Sequence, residues 1–156
     1  MSGDKSDFAG AVELLKDTYE KRMPYNMFLG LEVVAVGREG VTVRIQMKEG
    51  LIGNFIRGML HGGVISSLID IVGGIMAAVE VIEKMEGMSK EDIFRRVEKV
   101  STVDLRVDYL RPGLGEYFLC EGSTVRMGGK VATIGMELTN DNGETIAVGR
   151  GTYLVG

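Results

Sequence analysis

Cysteine is close to absent: Cys120 is the only one in 156 residues. No internal disulfide is possible, and a reducing cytoplasm is the natural setting. Cys120 lies in a strand-like stretch and reads as a small core residue rather than a nucleophile. Histidine is as scarce, with His61 alone. One His and one Cys do not support a zinc site of the usual His/Cys type. Basic excess is missing too: the net charge is −4, which removes electrostatic support for a nucleic-acid partner. The polar stretch Met1 to Ala9 carries no secretory signal. One long apolar run exists, of marginal length for a membrane span. Asp70 near its centre would cost about 2.5–3.5 kcal/mol in a bilayer. No second span follows, so no membrane is expected.

Several enzyme signatures are also missing. There is no G-x-S-x-G elbow. Gly122 to Lys130 fails the phosphate-loop spacing because residue 124 is Thr where Gly is needed. The glycines beside His61 do not make G-x-G-x-x-G. A Ser-His-Asp triad would need His61, Ser66 or Ser67, and Asp70, all on or beside one helix, and that spacing does not align them.

What is present centres on Leu60 to Asp70, LHGGVISSLID. The Gly62-Gly63 pair opens a run without Pro up to Met85, and only Asp70 and Glu80 carry charge between Val64 and Ile82. That pattern is a helix apolar almost all round, hence one wrapped by other elements. The length fits one domain, 1–156, with residues 1–24 as an N-terminal helix and arm. Glycine is unusually frequent, at 23 residues, as tight turns and close backbone approaches require.

Phe8, Val12, Leu15, Tyr19 and Met23 recur at helical spacing, with Asp7 as N-cap and Pro24 as stop. Tyr25 to Gly30 reads as a connecting segment whose Phe28 packs. Leu31 to Val36 is a strand, and Gly37 to Gly40 a turn. Val41, Val43, Ile45 and Met47 then alternate with polar residues along a second strand. Gly50 to Met59 is a loop carrying Asn54. Glu83 to Lys99 is strongly charged; Ser89 and Asp92 suggest a capping box for a short helix, Ser89 to Val97. It is either a solvated excursion or a lid over a pocket mouth.

Four strand patterns close the chain. Val103, Leu105, Val107 and Tyr109 alternate with Asp104, Arg106 and Asp108, and the turn RPGLG, Arg111 to Gly115, follows. Tyr117 to Arg126 is next, then a hairpin through Met127 to Lys130. Ala132, Ile134, Met136 and Leu138 share one face. After an Asn-Gly turn, Ile146, Val148, Thr152 and Leu154 are expected to share one face of the last strand. Hairpin-joined strands imply an antiparallel sheet curling around the one long helix, an α+β architecture.

For chemistry, a helix N-terminus and a carboxylate remain. The first amides of a helix lack intrahelical partners and carry the positive dipole end. Gly62 lets a carbonyl oxygen approach them as it turns negative. Asp70, eight residues on, lies roughly 12 Å along the axis. One carbonyl cannot touch both within a single subunit. If both act, the second comes from another copy, which makes a dimer with two composite sites.

LHGGVISSLID, together with STVDLRVDYLRPG and ETIAVGRGTYLV, resembles the hotdog-fold acyl-CoA thioesterases, specifically the PaaI-like branch. The resemblance runs from about Pro24 to Val155. It includes the acid nine residues after the histidine (70 − 61 = 9). It implies a hydrolase of acyl- or aryl-CoA with Asp70 as general base or nucleophile. The Gly62 amide resembles the oxyanion donor from the opposite subunit. His61 resembles the residue that positions the thioester, and Asn54 the loop Asn that orients water or substrate. Thr102 matches a Ser or Thr that assists the water. The resemblance further implies homodimers, often dimers of dimers, with no metal or bound cofactor, since coenzyme A is part of the substrate.

This chain departs in its spacing: Asn54 lies seven residues before His61, one more than the pattern. Read without the family, His61 can instead cap the helix and Thr102 can be an ordinary strand residue. Arg111, Arg126, Lys130 and Arg150 can bind the phosphates of coenzyme A or be solvated surface charges. Two rivals remain: a hotdog enoyl-CoA hydratase or dehydratase, and a non-catalytic acyl-CoA-binding module.

Overall fold

The computed structural model describes residues 7–156; the rest of the polar N-terminal stretch, read above for a signal, lies outside the described residues. Helix α1 (Phe8–Lys21) starts where the Asp7 carboxylate accepts the Gly10 amide and buries Ala11, Val12 and Leu15. Pro24 stops α1 as expected, but it also opens a further helix, α2 (Pro24–Leu29). Proline suits the first helical position, where its missing N–H would have no partner anyway. The expected connecting segment is therefore helical, ended by Gly30 at φ 71°. Phe28, expected to pack, is exposed and stacks on Tyr25.

Strands β1 (Glu32–Gly37) and β2 (Gly40–Gln46) form the first hairpin. The expected loop after them contains a 3-10 turn (Glu49–Leu51) and a small ladder of β3 (Ile52–Asn54) and β4 (Met59–Leu60). The central helix α3 (Gly62–Lys84) follows, and a short α4 (Lys90–Val97). In α4 Ser89 caps the Asp92 amide, and the buried Ile93 docks the charged excursion. Then come β5 (Ser101–Tyr109), β6 (Tyr117–Met127), β7 (Val131–Asn140) and β8 (Thr145–Leu154). The main sheet is antiparallel in its pairings, ordered β1-β2-β6-β7-β8-β5, so β5 has one edge unpaired among the described residues.

Helix α3 is long and apolar enough to cross a membrane by composition alone, but about two-thirds of its most apolar window is buried within the fold. The sheet supplies that cover. Phe118, Cys120, Ala132, Ile134 and Leu138 on its inner face are fully buried, as are Ile69, Val72, Ile75 and Met76 of the helix. Cys120 is thus core, and burial pushes its thiol pKa up, so it stays protonated.

The last strand corrects the sequence reading. Its helix-facing side is Ala147, Gly149, Gly151 and Tyr153, not Val148, Thr152 and Leu154; Ile146 is also buried. A Cβ on Gly149 would overlap Ile69, and one on Gly122 of β6 would come within 2.5 Å of Val72. These glycines form a trough that lets α3 lie close to the backbone of the sheet. An apolar-equals-inside rule fails there because the inside positions are the residues with no side chain.

Candidate active site

The first turn of α3 is delivered by the small β3–β4 ladder. The His61 amide donates to the Leu51 carbonyl at 2.8 Å. Gly53 makes room for this approach, since a Cβ there would come 2.8 Å from the His61 Cα. His61 is the N-cap: its Nδ1 accepts the Gly63 amide at 2.8 Å. In the neutral ring the proton then sits on Nε2. The His61 carbonyl takes the Val64 and Ile65 amides. The Gly62 N–H, the first of the helix, meets no acceptor among the described residues. On its other side the Gly62 carbonyl accepts the Tyr109 hydroxyl at 2.8 Å, which ties this turn to β5.

Asp70 lies two turns further along α3 and is half-buried. Thr102 of β5 donates its hydroxyl to Asp70 Oδ1 at 2.8 Å. Tyr153 of β8 donates to the same oxygen at 3.2 Å and to the Asp70 backbone carbonyl at 3.3 Å. Oδ2 has no hydrogen-bond partner among the described residues. Asp70 borders a cavity of 160 Å³ together with Tyr19, Asn26, Gly74, Thr102 and Tyr153. That holds about five water-sized groups at roughly 30 Å³ each. Burial, then the Asp70 charge, pushes the Tyr19 pKa up to about 12. The same two causes, in that order, raise Tyr153. Both phenols therefore remain neutral donors near physiological pH. Asn26, only 3% exposed, donates to the Tyr19 carbonyl at 3.0 Å and joins the first two helices at this cavity.

A family model of the thioesterase superfamily matches residues 57–147, a stretch that contains His61, Gly62, Asp70 and Thr102. The chain belongs to the thioesterase superfamily. As a member it is a thioester hydrolase, built on the hotdog arrangement of an antiparallel sheet around a long helix. The medium/long-chain acyl-CoA thioesterase YigI of Escherichia coli is 36% identical over 146 residues, 94% of each chain. A Shewanella oneidensis protein related to the thioesterase superfamily superposes with a TM-score of 0.92 at 38% identity, covering 97% of this chain and 100% of that one. A candidate thioesterase from Syntrophus aciditrophicus is 44% identical, with a TM-score of 0.82 and 95% of each chain covered.

The other residues of this thioesterase superfamily chain separate from that pair of centres. Asn54 Oδ1 accepts the Arg57 amide at 3.2 Å and so shapes its own exposed turn. Arg111 donates to the Thr145 carbonyl at 2.9 Å. Arg126 and Lys130 are exposed at the β6–β7 hairpin. Arg150 is exposed on the outer side of the sheet, opposite Arg106 of β5. Among the described residues no three His, Cys, Asp or Glu side chains gather as a metal site. A wider hollow, of 660 Å³, is lined by Glu39, Glu121 and Glu137 among others and does not include Asp70. Its acidic rim suits no phosphorylated thioester, so the smaller cavity is the better candidate.

Tyr153, Tyr109, Tyr19 and Asn26 are not among the site residues expected from the sequence, where Tyr19 and Tyr109 enter only as parts of a helix and a strand pattern. For Tyr153 a signal existed: Gly149 and Gly151 alternate with it, and glycines facing a buried helix mark the inner side of the strand. For Tyr109 no local signal existed, because its partner is a backbone carbonyl 47 residues away.

Proposed function

We propose that this protein hydrolyses medium- to long-chain acyl-CoA thioesters to the free acid and coenzyme A, as a cytoplasmic homodimer, with dimers pairing further. The observation that carries the reading is the Asp70 carboxylate beside its cavity, held at Oδ1 by Thr102 and with no hydrogen-bond partner at Oδ2 among the described residues. The name of YigI, which this chain matches over most of its length, supports the acyl-CoA class.

In this reading Asp70 takes a proton from water as the water oxygen attacks the thioester carbonyl carbon. The carbonyl π pair becomes an oxyanion. The Gly62 amide of the partner subunit stabilises it, with the helix dipole behind. Collapse re-forms the carbonyl and breaks the C–S bond, and the thiolate leaves with the proton. If Asp70 instead attacks the thioester carbon, the C–S bond breaks as the thiolate leaves, a mixed anhydride forms, and water then cleaves that anhydride to the free acid and restores the Asp70 carboxylate. His61 Nε2–H positions the thioester from the partner side, while Asn54 and Thr102 orient water. Arg111, Arg126 and Lys130 meet the phosphates of coenzyme A. No metal or bound cofactor enters any step.

The subunit-sharing part follows from length. Gly62 and Asp70 are separated by roughly 12 Å along one axis, too far for one carbonyl centre. Support for a second copy comes from β5. It is a nine-residue border strand with one edge unpaired, and its Val103 and Tyr109 are 59% and 54% exposed. Such an edge favours pairing with another chain.

Thiol release across a series of acyl-CoA lengths tests the activity; hydration of an enoyl-CoA without thiol release, or binding alone, would replace it. Mixing two inactive variants tests the shared site. Gly62→Pro removes the N–H yet suits the first helical position, and His61 before it is already extended at ψ 134°. Combined by refolding with Asp70→Asn, it should recover about a quarter of the wild-type rate, since half the dimers carry one intact site. No recovery would place both groups in sites of their own.

A further inference from the structure

We infer that Tyr153 is a positioning residue for Asp70, holding Oδ1 from beneath the helix so that Oδ2 is the oxygen left to act on substrate or water. The inference rests on the proposed role of Asp70. Its basis is geometric. A carboxylate and a backbone carbonyl can only accept, so the one Tyr153 hydroxyl proton is shared between Oδ1 and the carbonyl of Asp70, at 3.2 and 3.3 Å. That single phenol fixes the side chain relative to its own backbone. Thr102 grips the same oxygen from β5. Two donors on one oxygen and none on the other define the rotamer and the free lone pairs at once.

Room for the phenol is built in twice. A Cβ on Gly73 of α3 would overlap the Tyr153 hydroxyl, and one on Gly151 of β8 would come within 2.6 Å of the ring. Two elements thus give up a side chain at the positions that flank this ring. Tyr153 itself is fully buried and forms part of the wall of the Asp70 cavity. Burial and the neighbouring Asp70 charge keep it protonated, which preserves it as a donor. The titratable groups lining the Asp70 cavity are Tyr19 from α1 and Tyr153 from β8; the residues contributed there by α2, by β5 and by the segment before β5 carry none.

Tyr153→Phe keeps the ring and removes the donor. Expected is a fall in kcat of about 10- to 100-fold, the worth of one hydrogen bond to a charged group, with KM within about twofold. Losing the donor disfavours the carboxylate form, so the acid limb of the kcat/KM profile should move up by about half a pH unit or more. A residue that merely fills space would leave that limb in place. If Tyr153→Phe does not fold, Gly73→Ala decides, because it keeps the hydroxyl but displaces it and should give the same shift. Turnover within about twofold of wild type with an unmoved acid limb, in whichever variant folds, overturns the inference. Asp70→Asn in the same assay separates the cases: if it is inactive the base stands and only Tyr153 has failed, whereas full activity would remove the premise.

Discussion

The two positions on α3 proposed to act on substrate are built on opposite plans. At Gly62 the proposed group is a backbone amide donor, set beside an N-cap histidine and without an acceptor among the described residues. At Asp70 it is a side chain, pinned by hydroxyls from two strands that are neighbours in the sheet. The amide end needs only a helix start and a small residue. The acid end needs tertiary structure, because an ionised group in an apolar helix must be held and solvated in one geometry. The difference teaches which end is robust: an amide donor survives most side-chain changes nearby, and a gripped carboxylate does not.

Removing the acid is the most direct way to break the contrast. Asp70→Asn should lose about 10²–10⁴-fold in kcat, the range for a positioned base, with the sheet and dimer intact by circular dichroism and size exclusion. Gly62→Pro should cost slightly less, about 10²–10³-fold, as for one oxyanion donor. If Gly62→Pro were silent in thiol release, the amide end would carry no catalysis.

His61 sharpens the comparison, since it is tied to both cap and site. His61→Ala should cost about 0.5–2 kcal/mol of stability through the lost cap, read as a Tm drop of a few degrees. His61→Asn should restore the cap, and with it the Tm, but not the rate, because Asn cannot present the Nε2–H. Recovery of both by Asn would reduce His61 to a capping residue.

The smallest effect belongs to the exposed cations. Arg126→Gln with Lys130→Gln should raise KM for an acyl-CoA only a few-fold, and less at high salt. A thioester lacking the nucleotide should show no change. An equal rise for both substrates would remove these residues from phosphate binding.

Much of this was legible in the chain itself. The apolar run announced α3, Asp7 and Ser89 announced helix starts, and strict alternation in Ala132 to Leu138 gave the inner face of β7. Asp70 stood out because an acid within the apolar run of such a helix demands a reason. The failures share a cause. β8 was read on the wrong side because its inner positions are glycines, whose contribution is the absence of atoms. α2 was missed because six residues are too few for periodicity. Tyr153 and Tyr109 were missed because hydrogen bonds between β-strands and a helix leave no spacing to count. Asn54 was named through the family resemblance, and its Oδ1 also accepts the Arg57 amide in its own turn.

The border strand β5 has a kinetic consequence. It carries the Thr102 donor to the acid and the Tyr109 anchor to the amide turn, and it is also the unpaired margin of the sheet. Anything that docks along that margin leans on both centres together. In the proposed dimer, dilution would do more than separate chains: it would slacken the machinery within each of them, so specific activity should fall as the enzyme is diluted even before substrate is considered.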